Sequence, residues 1–183
     1  MSTAEETLAQ WQAVEAEVKA RHHHYGVSRP DQIMHLSGLQ VFDAMAQGQL
    51  PAAPIAQTLD FMLVETAAGR AVFQGRPQMA HFNPLGTVHG GWIATLLDSA
   101  VGCAVHTTLP AGKAYTTLEL KVNYVKAVTL KQPLLRAEGT VISAGARVAT
   151  AVGRLVGPDG VLYAHATTTC LIFDAPGARA APA

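Results

Sequence analysis

GGWIATLLDSAVGCAVHTTL, residues 90–109, is the stretch of this 183-residue chain that determines its fold. It is long enough for a helix and apolar on nearly every face. Asp98 is its only charged residue, and no other charged residue occurs between Arg76 and Lys113. Because a helix that is hydrophobic all round is a buried one, we predict a central helix that ends at Pro110 and is surrounded by the rest of the domain.

Strand-like segments lie on both sides of this helix. FMLVETA (61–67) and RAVFQGRP (70–77), separated by Ala68-Gly69, indicate a hairpin before it. Four longer runs follow it: YTTLELKVNYV (115–125), LLRAEGTVISA (134–144), RVATAVGRLV (147–156) and VLYAHATTTCLIF (161–173). We predict an α+β fold in which an antiparallel sheet wraps around the long central helix. The strands between residues 114 and 173 are expected to be meander neighbours.

The residues before the hairpin predict extra N-terminal helices. A capping-box pattern of Thr3 and Glu6 begins an amphipathic helix that runs to Arg21. A second, short helix follows a Ser37 cap. The next segment, LPAAPIAQTL (50–59), is a proline-marked connection with one helical turn.

These patterns divide the chain into three parts. Residues 1–52 form a helical extension, residues 53–174 the α+β domain, and residues 175–183 a tail with the composition of a disordered segment. We interpret the triple histidine His22 to His24 as a polar helix end, because no second cluster of metal ligands accompanies it.

Composition and charge exclude several classes of function. With 49% hydrophobic and 14% charged residues, the chain can bury the core of one domain. Thirteen basic residues balance thirteen acidic ones, so we expect neither nucleic acid nor an anionic membrane as a partner. The polar N-terminus and the lack of an apolar run of about 20 residues predict a soluble, cytoplasmic protein.

The sequence lacks the motifs of several other enzyme classes. No GxSxG, HExxH, GxxxxGK(S/T) or GxGxxG motif occurs, which argues against a serine hydrolase, a zinc hydrolase or a nucleotide-cofactor enzyme. Cys103 and Cys170 lie in apolar stretches, and we interpret them as buried small hydrophobes. We therefore expect no metal and no cofactor.

Asp98 is the first candidate for chemistry, because an ionised carboxylate in an apolar helix is costly unless something compensates it. It either hydrogen-bonds a neighbouring group and specifies packing, or it takes part in catalysis. Eight residues earlier, His89-Gly90-Gly91 begins the same helix. A helix N-terminus with uncovered N–H groups is suited to stabilise an oxyanion. A glycine pair alone is often only a tight turn, so its conjunction with Asp98 is what favours a catalytic site.

The spacing of these two groups predicts self-association. Gly90 and Asp98 lie about 12 Å apart along one helix, at about 1.5 Å per residue, so they cannot both contact one carbonyl group. If the helix packs antiparallel against its own copy across a two-fold axis, Gly90 of one chain approaches Asp98 of the other. We expect a dimer, or a dimer of dimers, with sites shared between subunits.

This region resembles the hotdog-fold thioesterases of the phenylacetate-degradation (PaaI-like) group. The resemblance covers about residues 61–173 and rests on Asn83, Gly86-Thr87, His89-Gly90-Gly91, Asp98 and the run TTLELKVNY at 116–124. It implies a hotdog fold and an acyl-CoA thioesterase. No cofactor is implied, since coenzyme A is part of the substrate.

The resemblance also implies roles for individual residues. Asp98 would activate the attacking water as a general base or act as the nucleophile, and the backbone N–H of Gly90 would donate to the thioester oxygen. Asn83 would position the water or the carbonyl. Thr117 would take the place of a family serine that orients the water. His89 could be a general acid, but we favour a role in holding the turn.

For coenzyme A, the resemblance implies the strand end after the central helix and the next hairpin. Lys126 and Arg147 would meet phosphates, and Gly145 would let the backbone approach closely. The other members of the expected site are Gly91, Tyr124, Val125 and Ala146. Both cations are equally well interpreted as solvated charges at strand ends.

Two other functions remain open at this point. A hotdog hydratase needs a histidine closely after the aspartate, whereas Asp98 is followed by Ser-Ala-Val-Gly-Cys. A catalytically silent acyl-CoA-binding module would not need the acid. An aromatic or medium-chain acyl group is expected, in a pocket walled by side chains that are equally credible as core: Met79, Phe82, Trp92, Ile93 and Leu96.

Overall fold

The computed structural model describes residues 3–21 and 24–176. His22 and His23 of the predicted polar helix end and residues 177–183 of the predicted tail lie outside the described residues. The helices are α1 (Ala4–Arg21), α2 (Pro30–Ile33), α3 (Gly38–Ala46), α4 (Pro54–Thr58) and α5 (Gly90–His106). The strands are β1 (Phe61–Ala67), β2 (Arg70–Gly75), β3 (Lys113–Tyr124), β4 (Leu135–Ala144), β5 (Val148–Val156) and β6 (Leu162–Asp174).

The six strands form one antiparallel sheet in the order β1-β2-β4-β5-β6-β3, and α5 packs against all of them. The N-terminal helices α1, α3 and α4 contact β1 at one edge of this sheet. The α+β hotdog architecture predicted from the sequence, with its long central helix and its extra N-terminal helices, is confirmed.

The position of β3 differs from the prediction. The expectation that all strands between 114 and 173 are meander neighbours is wrong for β3, which pairs with β6 from Lys113↔Asp174 to Tyr124↔Ala164. Strands β4, β5 and β6 do pair in sequence order. The connection 125–134 between β3 and β4 is longer than the loop of about two to five residues that joins hairpin strands, so it can carry the chain across the sheet.

Glycines in the sheet allow α5 to approach the strands closely. A Cβ atom on Gly139 of β4 would lie 2.2 Å from the carbonyl oxygen of Ala100, and one on Gly153 of β5 would lie 2.8 Å from Val101. Leu96 and Leu97 are fully buried in the same contact. The middle of α5 is therefore fixed against β4 and β5, and this contact sets the height of Asp98 along the sheet.

One stripe of α5 remains partly open in the chain. Gly91, Thr95 and Asp98 recur at the helical period, and each keeps part of its surface exposed. The prediction of a helix buried on every face is wrong for this stripe, because the sheet covers only part of the helix circumference. The helix also ends at His106 rather than at Pro110, and two turn residues follow it.

The N-terminal extension is attached to the domain by polar and packing contacts. The predicted capping box of Thr3 and Glu6 is present, with both hydrogen bonds formed. Glu15 of α1 is buried and pairs with Arg76 and Lys19. Burial opposes the charge of Glu15, but hydrogen bonds from these two cations hold its pKa below the ordinary value.

Helix α3 closes the C-terminal end of α5. The Ser37 hydroxyl accepts a hydrogen bond from the Gln40 N–H, as expected for the predicted cap. A Cβ atom on Gly38 would lie 1.8 Å from the carbonyl oxygen of His106. Only a glycine permits this close approach, which attaches the extension directly to the central helix.

Candidate active site

The carboxylate of Asp98 lies on the open stripe of α5 and is held by a neighbouring strand. The Thr117 hydroxyl donates a hydrogen bond of 3.0 Å to Asp98 Oδ1. A β-bulge at Leu118 interrupts the pairing of β3 with β6 just after Thr117, and the adjacent Thr116 is exposed. Oδ2 of Asp98 has no hydrogen-bond partner in the part of the chain that the structure describes. This oxygen is free to accept a proton from a water molecule.

His89 caps the N-terminus of α5. Its Nδ1 accepts a 2.8 Å hydrogen bond from the Gly91 N–H, and its own N–H donates to the carbonyl oxygen of His81 at 2.7 Å. The structure therefore gives His89 the contacts of the turn-holding role that we favoured. The Gly91 N–H is already bound and cannot serve an oxyanion in this arrangement.

The backbone N–H of Gly90 is the donor that remains. Within residues 3–21 and 24–176 no acceptor binds it. The Tyr124 hydroxyl donates to the Gly90 carbonyl oxygen at 3.1 Å, and a Cβ atom on Gly90 would lie 3.0 Å from the Tyr124 ring. Gly90 thus combines a free N–H, the positive end of the helix dipole and a surface that a side chain would obstruct.

The side chain of Asn83 is occupied in its own loop. Its Oδ1 accepts from the N–H groups of Leu85 (2.8 Å) and Thr87 (3.4 Å), and its Nδ2 donates to Thr87 Oγ1 (2.8 Å). Such an Asx turn is a common use of asparagine before proline. In this structure Asn83 orders the approach to α5, and the expected contact with water or a carbonyl group stays a prediction.

The chain therefore carries two half-sites at different heights along α5. We call Asp98 with Thr117 the acid half-site, and Gly90 with Tyr124 the amide half-site. Strand β3 runs beside α5 in the opposite direction and reaches both. The eight residues between Gly90 and Asp98 correspond to about 12 Å, so one chain cannot apply both half-sites to the same carbonyl carbon.

Three neutral side chains, Cys103, Tyr115 and Cys170, lie near the acid half-site. Burial raises the pKa of the Cys103 thiol to about 12, although a hydrogen bond with Tyr115 opposes the shift. Burial also raises the pKa of Tyr115 well above its ordinary value. The Cys170 thiol is buried, with a raised pKa. Cys170 is buried, as predicted, whereas Cys103 keeps part of its surface accessible. Both thiols are neutral, and neither supplies a thiolate nucleophile.

The residues expected to bind coenzyme A fall into two groups. Val125 and Lys126 follow β3 and donate their N–H groups to the Tyr163 carbonyl oxygen, at 2.8 and 3.1 Å. The Lys126 ammonium lies 5.7 Å from the centre of the Tyr163 ring. Both residues lie close to Tyr124 and hence to the amide half-site.

The second group, Gly145, Ala146 and Arg147, forms the exposed turn between β4 and β5. The Arg147 carbonyl oxygen accepts from the Ile172 N–H, whereas Tyr124 pairs with Ala164. Eight strand residues, or about 26 Å at 3.3 Å each, separate these positions on β6. The structure does not bring the two groups together within one chain.

Most of the side chains suggested for an acyl pocket belong to the core, which was the other interpretation of these residues. Trp92, Ile93 and Leu96 are core residues, each exposing 3% of its surface or less, and Met79 is 68% exposed. Phe82 packs against the same core. An apolar residue in the sequence can belong either to the core or to the lining of a pocket. The sequence alone therefore did not distinguish these two positions for the five residues.

Sequence reasoning missed a cavity of about 220 Å³ between the extension and the domain. Helices α3 and α4, strand β1 and a second face of α5, which includes Ser99 and Cys103, form its walls. No motif marks it, because it arises where elements distant in sequence meet. The described residues contain no cluster of three or more potential metal ligands, and none of their helices could span a membrane.

Comparisons with known proteins identify the family and the fold of the chain. The sequence profile of the thioesterase superfamily matches residues 85–164. The structure is similar to a phenylacetic acid degradation-related protein from Ralstonia eutropha, with 31% sequence identity and a TM-score of 0.65, over 71% of this chain and 98% of that one. The chain thus belongs to the thioesterase superfamily and is a thioester hydrolase with the hotdog fold.

Two further structures are similar. A variant of the phenylacetic acid degradation protein PaaI from Thermus thermophilus is 27% identical over 64% of this chain and 97% of that one, with a TM-score of 0.58. A thioesterase family protein from Silicibacter pomeroyi shares the fold at 23% identity, with a TM-score of 0.66 over 76% of this chain and all of its own. A search of curated proteins found no match.

Proposed function

We propose that the protein hydrolyses acyl-CoA thioesters with Asp98 as the general base. Water bound at Asp98 Oδ2 loses a proton to the carboxylate while its oxygen attacks the thioester carbonyl carbon. The resulting oxyanion accepts a hydrogen bond from a Gly90 N–H. Collapse of the tetrahedral intermediate breaks the C–S bond, and the CoA thiolate takes up the proton that Asp98 accepted. The observation that carries this proposal is the Thr117–Asp98 contact on the open face of α5.

The proposed site is shared between two copies of the chain. The open stripe of α5 contains both half-sites, and a two-fold axis across this stripe would place the Gly90 of a second copy beside Asp98. The same axis would bring Lys126 of one chain and Arg147 of the other toward one CoA molecule. In a dimer, or in a dimer of dimers, one site would thereby combine two half-sites that lie too far apart within one chain.

Asp98 could also act as the nucleophile, which would give a mixed anhydride that water then hydrolyses. A single turnover in ¹⁸O-labelled water separates the two chemistries. A general base puts the label directly into the product acid. A nucleophile whose anhydride opens at the Asp98 carbonyl puts the label into the enzyme and leaves the first product unlabelled.

The acyl group in the proposal is aromatic or of medium length. Two similar structures are named for phenylacetic acid degradation, which supports an aromatic acyl group. The apolar surroundings of Ser99 and Cys103 support an acyl group without charge. No cofactor is part of the reaction, because coenzyme A arrives with the substrate.

The test measures free thiol released from a panel of aromatic and fatty acyl-CoA thioesters. Asp98→Asn should lower kcat by about 100-fold or more, as expected for loss of a general base, with the oligomer intact by light scattering. Asp43→Asn, an exposed aspartate on α3, is the matched control. Equal turnover in the wild type and Asp98→Asn would refute the role of Asp98.

A further inference from the structure

The cavity described above lies beside the acid half-site. Ser99, the residue after Asp98, and Cys103, one turn further along α5, both line it. The thiol of Cys103 is hydrogen-bonded to Tyr115, whose ring packs on the same helix at Gly102. The cavity therefore lies against the same part of α5 that carries Asp98.

The walls of the cavity are apolar and carry little charge. Phe42 and Met45 from α3 and Ile55 from α4 face β1 across the space. Burial lowers the pKa of His106, which keeps this wall residue neutral at pH 7. Glu65, the acidic residue of the lining, is paired with Arg70 and Arg136. No uncompensated charge opposes an apolar occupant among these residues.

The N-terminal extension together with the following α4 segment supplies about half of this enclosure. The similar structures are matched over 97 to 100% of their own length, yet they cover only 64 to 76% of this chain. The difference leaves a part of the chain that these proteins lack. If α3 and α4 were absent, the side of the cavity that faces β1 and the Ser99–Cys103 part of α5 would be open.

We propose that the cavity binds the hydrocarbon tail of the acyl group, and that the N-terminal extension sets the tail length of the substrate. This inference rests on the proposed acyl-CoA hydrolysis. The occupant is an unsubstituted apolar chain of about six to eight carbons, since an apolar cavity of about 150 Å³ already holds benzene and this one measures about 220 Å³. Half-exposed Ile55 and Tyr25 mark its rim.

Met45 provides a test in two directions. Met45→Trp should fill the cavity and Met45→Ala should enlarge it. Each methylene group excluded from an apolar site lowers the affinity about fourfold. Met45→Trp should therefore lower the ratio of kcat/KM for octanoyl-CoA to kcat/KM for butyryl-CoA by about tenfold. Met45→Ala should move the preferred chain to greater length. The matched controls, Met34→Trp and Met34→Ala, change a half-buried methionine of the same extension outside the cavity and should keep the wild-type ratio.

The outcomes separate this inference from the proposed function. Hydrolysis of thioesters with the same chain-length ratio in wild type and both Met45 variants would overturn the inference alone. If the wild type hydrolyses no acyl-CoA, the proposed function fails. Calorimetric titration with octanoate then tests whether the cavity binds an apolar chain. Octanoate binding that weakens about tenfold in Met45→Trp supports the inference, and no binding to the wild type overturns it. Circular dichroism and melting curves confirm that each variant is folded.

Discussion

The two ends of the open stripe on α5 contribute to the site in different ways. At the acid half-site the proposed chemistry belongs to side chains, because Asp98 carries the charge and Thr117 hydrogen-bonds to it at 3.0 Å. At the amide half-site the proposed oxyanion donor is the backbone N–H of Gly90, and the side chains of His89 and Tyr124 contact the residues around it. A substitution can remove a side-chain function directly. A backbone N–H donor can be removed only by a substitution that also affects the local backbone conformation.

The largest effect is expected from deleting the Gly90 donor. Gly90→Pro removes the N–H at the first helical position, where proline is tolerated, and the extended backbone of His89 suits a following proline. We expect kcat to fall by about 100- to 1000-fold, the range for loss of one oxyanion donor. Gly90→Ala keeps the N–H while adding a similar contact with Tyr124, so it should retain more activity. Equal losses in both variants would assign the effect to packing.

Mixing the two defects tests whether the half-sites come from different chains. Heterodimers of Asp98→Asn and Gly90→Pro chains would contain one site with both defects and one site with neither. Thiol release should therefore return to about half of the wild-type value per heterodimer, since one of two isologous sites is intact. Heterodimers as inactive as the parent variants would mean that each site is built within one chain.

A smaller loss is expected at the side chain that orients Asp98. Thr117→Val removes a hydrogen bond to a charged group, which is worth about 1.5–3 kcal/mol, so kcat should fall about 10- to 100-fold. Thr117→Ser keeps the hydroxyl and should recover most of the activity. The exposed neighbour Thr116→Val is the control. An unchanged pH–rate profile and kcat in Thr117→Val would show that the contact only positions β3.

A still smaller effect is expected at Tyr124. Tyr124→Phe removes the 3.1 Å hydrogen bond to the Gly90 carbonyl oxygen but keeps the ring over the glycine. A neutral hydrogen bond contributes about 1 kcal/mol, so kcat/KM should fall about fivefold. A loss as large as that of Gly90→Pro would mean that the hydroxyl itself contacts the substrate.

The smallest effect on turnover is expected where the extension is attached, away from both half-sites. The lowered pKa of Glu15 means that its contribution to stability is present above the ordinary value of 4.5 and is lost as the pH falls through the folded-state pKa. Glu15→Gln should reduce the free energy of unfolding at pH 7 by about 1–3 kcal/mol. Urea unfolding at pH 7 and below pH 4.5 should show the difference shrinking in acid. The exposed Glu17→Gln should change stability by less than about 0.5 kcal/mol.

The sequence predicted the features of the fold that depend on local pattern. Alternation identified the strands, and the Thr3 and Ser37 caps located the starts of α1 and α3 because capping involves residues three apart. The position of β3 at the sheet edge could not be predicted in this way, since the long 125–134 connection is compatible with several pairings. Strand order is a property of the whole sheet.

The same distinction holds for the candidate site. Asp98 was identified because a lone charge in an apolar helix is a local anomaly, and Thr117 followed from the family resemblance. The cavity was missed, because its walls come from separate segments between Val18 and His106 that only the tertiary structure joins. The loop-holding role of Asn83 had a local signal, the Asn-Pro pair, which is typical of an Asx turn.

The neutral Cys103 thiol should be resistant to disulfide formation in a protein that releases a thiol at every turnover. Mixed disulfides form only through a thiolate. Burial raises the pKa of the Cys103 thiol to about 12, so almost none of it is ionised at pH 7. The Cys103 thiol beside the proposed site should therefore resist thiol–disulfide exchange, and we expect the protein to tolerate the disulfide reagents commonly used to detect released thiols.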